Sequence, residues 1–139
     1  MKIYLYFVGK PKDPHANAIA ADFLARASRY APIETREIRP ERTEPWVKHP
    51  AARRIFLDPA GKRVDSAGFT ALIGRAEMEG RDLVFLVGGH DGLPPGWAAR
   101  ADTLLSLSPL TFPHELARAM LTEQIYRAFA TLRGHPYPR

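Results

Sequence analysis

Apolar residues run unbroken through Ile3-Tyr4-Leu5-Tyr6-Phe7-Val8 and again through Leu83-Val84-Phe85-Leu86-Val87. Continuous runs of this length predict strands buried on both faces, as in a parallel sheet. Between and after them the period changes. Ile19, Phe23, Ala27 and Tyr30, with Ala20 and Leu24 alongside, recur every three to four residues and predict an amphipathic helix of about five turns, ended by Pro32. Residues Ile33 to Ile38 alternate weakly, as a further strand would. Arg39 to Arg54, broken by Pro40, Pro45 and Pro50, reads as an irregular connection with room for one helical turn. Arg54-Ile55-Phe56-Leu57 is a short strand stopped by the turn sequence Asp58-Pro59-Ala60-Gly61.

A second helix follows, capped by Asp65 or Ser66, with Phe69, Leu72, Ile73 and Ala76 as its core face and Gly80 at its end. The strand at Leu83–Val87 leads into Gly88-Gly89-His90-Asp91-Gly92. Pro94 and Pro95 open a short helix to about Ala101, and Thr103 to Leu107 is another strand. Pro113 opens the longest helix, His114 to about Leu132. Its apolar positions Leu116, Met120, Leu121, Ile125, Phe129 and Leu132 cover more than the ~100° that one packing face uses. Alternating strands and helices predict an α/β fold, a mostly parallel sheet flanked by helices. Ligands of such sheets sit beyond the carboxyl ends of the strands, here the loops at 58–62, 88–92 and 108–112.

Composition narrows the chemistry. A chain of 139 residues with 45% hydrophobic residues predicts one folded domain over 1–139. With no cysteine, disulfides, thiolate zinc sites and a cysteine nucleophile are excluded. No leader and no membrane-spanning run is apparent, so the expected location is cytoplasmic. Twenty Lys and Arg against fifteen Asp and Glu leave a net charge of +5, a modest pointer to an anionic partner. No P-loop, G-x-G-x-x-G or G-x-S-x-G motif occurs. His114-Glu115-Leu116-Ala117-Arg118 begins like a zinc-protease helix, but Arg118 stands where the second histidine belongs. His15, His49, His90, His114 and His135 have no metal-ligand spacing, so no metal is expected.

Four features keep two readings each. Gly88-Gly89 either exposes peptide groups to a ligand or makes a tight turn. Leu107-Ser108-Pro109-Leu110-Thr111-Phe112 either encloses an adenine ring or caps the long helix with buried anchors. His114, at a helix N-terminus that disfavours positive charge, either bonds a ligand or satisfies backbone. The tail His135-Pro136-Tyr137-Pro138-Arg139 is held extended by two prolines and so suited to docking, although a chain end normally frays.

Taken in order, these segments resemble the RlmH family of SPOUT-class methyltransferases, bacterial enzymes acting on a pseudouridine of large-subunit ribosomal RNA. The resemblance is carried by Val87 to Leu93, by Leu105 to His114, by Arg118 and Glu123 to Arg127 on the long helix, by Leu57-Asp58-Pro59-Ala60-Gly61-Lys62, and by His135-Pro136-Tyr137. It implies a C-terminal trefoil knot over about residues 83–132 with a tail at 134–139, a homodimer, and S-adenosylmethionine as cofactor. It implies a cofactor pocket of Leu57, Gly88, Leu107, Ser108, Pro109, Leu110, Thr111 and Phe112. The reaction it implies is methylation of N3 of a pseudouridine in 23S ribosomal RNA, in the assembled ribosome.

That imide must lose a proton, so His114, Tyr137 and Arg139 are the catalytic candidates, the last two from the partner's tail; Arg139 can act only electrostatically. Arg118 and His135 are the substrate-binding candidates, and Glu123 with Arg127 an i,i+4 pair. Two alternatives stand beside this reading: a non-catalytic RNA- or ribosome-binding module, or a methyltransferase with another RNA target such as tRNA. The chain departs from the family in lacking about one lysine-rich helix between Ile38 and Ile55, and in carrying Pro138 where a histidine is common.

Overall fold

A computed structural model describes residues 1–137. Five strands form one sheet in the order β2-β1-β4-β3-β5, every neighbouring pair parallel. They are β1 (Ile3–Val8), β2 (Ile33–Ile38), β3 (Arg53–Arg63), β4 (Leu83–Val87) and β5 (Thr103–Ser106). The continuous apolar runs have the expected cause. Ile3, Leu5 and Phe7 of β1 and Leu83, Phe85 and Val87 of β4 enter one core layer. Tyr6, Val84 and Leu86 enter another on the opposite face. The first face carries the long helices α1 (Pro14–Ala27), α3 (Ser66–Glu79) and α4 (His114–Leu132). The second is covered by the single turn α2 (Pro45–Lys48), whose Trp46 meets Trp97 edge-on at 4.8 Å. Two indole rings thus close the face left by the shortened 39–54 segment.

Local chemistry sets the element ends. Asp65 accepts the Gly68 N–H at 2.8 Å and starts α3, and Gly80 ends it in the left-handed region at φ 63°. Asp13 starts α1 by accepting the His15 and Ala16 N–H groups.

Three expectations differ from the structure. Helix α1 buries Ala16, Ala20 and Ala27 and leaves Ile19 46% exposed. Its small side chains allow close approach to α4, while Phe23 and Tyr30 reach the α4 aromatics Tyr126 and Phe129 from the flank. Strand β3 runs past Leu57 to Arg63. Leu105 is paired first with Leu57 and then with Lys62, so residues 58–61 bulge out of the ladder. A Cβ on Gly61 would lie 2.6 Å from the Leu104 carbonyl, so only glycine lets the bulge rest on β5. After β4, the expected helix from Pro94 shrinks to one 3₁₀ turn at Ala98–Arg100, because Gly96 at φ 82° interrupts it.

Helices α3 and α4 are tied at their ends by Arg133, which donates to both carboxylate oxygens of Glu77, at 3.0 and 2.5 Å. The guanidinium holds the Glu77 carboxyl below its ordinary value of 4.5. A lowered folded-state pKa contributes stability that is present above the unfolded value and lost as pH falls through the folded one. At this exposure the pair is worth at most about 1 kcal/mol. Urea unfolding of wild type and Glu77→Gln should therefore differ at pH 7 and converge as the pH drops well below 4.5. A constant difference would contradict the ion-pair account.

Candidate active site

Beyond the carboxyl ends of β3, β4 and β5 lies a cleft of about 700 Å³, counted to its open mouth. Leu57 and Asp58 line it from β3, Gly88 and Gly89 from the β4 loop, and Leu107, Ser108, Leu110, Thr111 and Phe112 from the β5 loop. His114 and Ala117 of α4 close one wall. Seven of the eight expected pocket residues line this cleft. Pro109 does not; it sits exposed at the turn of its loop.

The glycine-rich loop makes its tight turn and exposes backbone at once. Gly92 donates to the Gly89 carbonyl at 3.0 Å, which folds the loop onto itself. A Cβ on Gly88 would stand 2.5 Å from the Gly92 carbonyl, and one on Gly89 would stand 3.2 Å from the Val8 oxygen. The backbone thus packs too closely for a side chain and faces the cleft bare. The β5 loop is pinned by two serines: Ser106 donates to the Ser108 carbonyl at 2.9 Å, and Ser108 Oγ accepts the Leu110 N–H at 3.0 Å. Leu110, 69% exposed, and half-buried Leu107 and Phe112 supply apolar surface around these polar groups. Bare backbone beside apolar walls fits a ligand with a flat heteroaromatic ring and a polar edge.

His114 is the first residue of α4, and a Cβ on Gly9 would come within 3.9 Å of its Nε2. The β1–α1 loop therefore lies against the imidazole. Glu115 fastens that loop by accepting the N–H groups of Lys12 at 2.6 Å and Asp13 at 3.0 Å, and the Asn17 amide at 3.2 Å. These bonds, the Lys12 N–H first, hold the Glu115 carboxyl below the usual carboxylate range. His90 is a second imidazole at the cleft. Glu115 and Asn17 have no sequence signature, since their partners lie about a hundred positions apart.

Arg118, a substrate-binding candidate in the sequence, is only 7% exposed. It donates to Asn17 Oδ1 and lies 3.9 Å over the Phe7 ring. Burial pushes its pKa down. It lies under the site, joining α4 to α1 and β1.

Of the tail, the described residues His135, Pro136 and Tyr137 do not line the cleft of this chain. Tyr137 donates to Glu123 Oε2 at 2.6 Å, packs edge-on to Tyr126 at 4.7 Å and lies beneath Arg127 at 5.2 Å. Its N–H donates to His135 Nδ1 at 3.1 Å. Burial, then the bond to Glu123, raises the Tyr137 pKa and keeps the phenol protonated. Glu123 also accepts from Arg127 at 2.8 Å, the pairing the spacing suggested. Glu123 sits about 14 Å along the helix from His114. Arg139 lies outside the described residues.

A parallel sheet with a ligand cleft at its carboxyl edge, walled by a bare glycine loop and the start of the last helix, matches a methyltransferase class. A family model described as "Predicted SPOUT methyltransferase" matches residues 1–138, and the chain belongs to that family. Within it the chain falls among the proteins named ribosomal RNA large subunit methyltransferase H. It is 77% identical to the one from Solibacter usitatus (strain Ellin6076) over 139 residues, covering all of both chains. It is 41% identical to the one from Sorangium cellulosum (strain So ce56), covering 99% of each. The Solibacter relative shares the short middle segment, since the two align end to end over 139 residues. Among solved structures, the SpoU methyltransferase AviRb from Streptomyces viridochromogenes, in complex with AdoMet, superposes with a TM-score of 0.51. That match is 13% identical, covers 89% of this chain and 56% of that one, and supports the fold.

Proposed function

We propose that this chain is an S-adenosylmethionine-dependent methyltransferase acting on N3 of a pseudouridine in 23S ribosomal RNA, in the assembled ribosome. The observation that carries the reading is the cleft itself: seven of the eight residues the family pattern assigns to the cofactor come from three separate segments and line one cavity. The name of the 77% identical relative supplies the substrate class. A ribosomal substrate implies a cytoplasmic location. The family pattern also carries a trefoil threading of about residues 83–132.

When bound, the cofactor supplies an electrophilic methyl group and a neutral thioether as leaving group. The Gly88-Gly89 backbone and the Leu107–Phe112 loop would hold it, with apolar Leu57, Leu107 and Phe112 keeping water from the reacting side. The protein's remaining work is positioning and proton handling. N3 of a uracil ring keeps its proton near neutral pH and must release it as it gains the methyl group. His114, at the cleft wall beside the Glu115-fastened loop, accepts that proton.

The site is completed by a second copy of the chain. Leu121, Ile125 and Phe129 of α4 are wholly buried, while Leu116 and Met120 on the next row of the same helix are 41% and 43% exposed. The apolar stripe thus divides into a face spent on this protomer and a face left for another. Such pairing brings in the partner's tail, with its Tyr137, His135 and Arg139. The phenol, protonated on Glu123, serves as a hydrogen-bond donor or anchor and not as the base.

Isothermal titration with S-adenosylmethionine tests the cofactor assignment. Saturable binding, one cleft per chain or one per dimer, is the expected result. No heat at millimolar cofactor contradicts it.

A further inference from the structure

At the carboxyl edge of the sheet, where the cleft opens, two pairs of exposed cations stand outside the ion pairs of the described residues. Ion pairs among the described residues lie along helices or toward the amino edge: Lys2 and Arg36 with Glu34, Arg53 and Arg75 with Glu79, Arg133 with Glu77, and the pairs within α1 and α4. Lys10 and Lys12, just after β1, and Lys62 and Arg63, at the end of β3, are exposed and take part in none of them.

Their freedom has a structural cause. Four nearby carboxylates are turned onto backbone N–H groups: Asp13 onto His15, Asp58 onto Ala60 at 2.9 Å, Asp65 onto Gly68, and Glu115 onto Lys12 and Asp13. Exposed Asp91 is the carboxylate left between them. Strand order places the two cation pairs on either side of the cleft mouth, since β1 and β3 both flank β4. Two strand spacings separate them by about 10 Å, before side-chain reach is added. Each pair follows a glycine that lies close to neighbouring structure, Gly9 by His114 and Gly61 on Leu104, and Lys62 and Arg63 are themselves paired with β5, so both pairs are presented from fixed backbone. Arg39 and Arg42 share this edge but alternate with Glu41 and Glu44.

We propose that Lys10 and Lys12 on one side of the cleft, and Lys62 and Arg63 on the other, form a divided phosphate track that seats an RNA backbone across the cleft mouth. The proposal rests on the ribosomal RNA reading above and names the surface that carries it. A net charge of +5 is modest for an RNA-binding protein, but four of its exposed, unpaired cations flank the edge where the nucleotide must enter.

The test compares two double reversals, Lys10→Glu with Lys12→Glu and Lys62→Glu with Arg63→Glu, against Arg29→Glu with Lys48→Glu. Arg29 and Lys48 are exposed cations at the amino edge, without ion pairs. Binding to purified ribosomes is measured over a salt series, and cofactor binding by calorimetry. Each carboxyl-edge reversal should weaken ribosome binding by about 10-fold or more. It should also flatten the plot of log K against log salt by about 0.7 for each phosphate no longer neutralised. Cofactor affinity should stay at the wild-type value, and the amino-edge variant should bind like wild type. Equal behaviour of all three variants overturns the track while leaving the enzyme reading intact. Absence of salt-dependent ribosome binding by the wild-type protein overturns the ribosomal reading and the track with it.

Discussion

Gly88→Ala should abolish measurable cofactor binding in a protein that still folds. The added Cβ would stand 2.5 Å from the carbonyl carbon and oxygen of Gly92 and 2.9 Å from the Leu93 nitrogen. All three are backbone atoms, so no side chain can swing aside. The loop must open by about an ångström, and the loop is the cleft wall. Displacements of that size cost on the order of 100-fold in function when geometry carries the chemistry. The core beneath, with Val87 and Phe85 buried between α3, α4 and the neighbouring strands, is untouched. Calorimetry with S-adenosylmethionine beside a thermal melt separates the two effects. Gly80→Ala is the control. It burdens a left-handed helix end at φ 63° with about 1 kcal/mol of strain, far from the cleft, and should lower the melting temperature without touching cofactor affinity. Wild-type affinity in Gly88→Ala would mean the cofactor does not use this loop.

The second large effect is expected from Leu116→Glu combined with Met120→Glu. The two leucines of α4 that look alike in sequence are in opposite situations. Leu121 is fully buried, so a carboxylate there would unfold the protein. Leu116 and Met120 are about two-fifths exposed and carry charge in a lone protomer with little loss, about 0.5 kcal/mol or less. Across a two-fold interface the same charges would face apolar surface and one another. Light scattering should then report half the wild-type mass, with an unchanged circular dichroism spectrum. Methyl transfer should fall by about 100-fold or more, because under the proposed pairing the partner's tail completes the site, whereas Tyr137 of the same chain is held on Glu123, about 14 Å along α4 from His114. A monomer with full activity would show that one chain makes the whole site.

Much of this was legible in the residues. β1 and β4 announce themselves because both their faces are buried, which leaves no polar position to confuse the pattern. Asp65 and Gly80 mark α3 through chemistry confined to one turn. The cleft follows from the rule that parallel strands gather their loops at one edge. What was not legible depends on partners distant in the chain. The face of α1 is chosen by how near α4 can come, so small Ala16 and Ala20 win the core from Ile19. The bulge at 58–61 exists because Gly61 can rest on β5, a contact that spacing does not encode. Arg118 looks like a phosphate ligand by residue type, and only its burial against Phe7 and Asn17 shows its place beneath the site. Glu115 looks like ordinary helix surface until the β1–α1 loop is seen to bond to it. In each case local pattern was overridden by packing between segments up to about a hundred residues apart.

The reaction itself is tested most directly by locating the methyl group. Ribosomes lacking the modification are incubated with the protein and isotopically labelled S-adenosylmethionine, and the 23S ribosomal RNA is digested and sequenced by mass. The account predicts one labelled methyl on N3 of a single pseudouridine, absent when Gly88→Ala replaces the wild-type protein. Label on tRNA, on another atom, or on no RNA at all would contradict it.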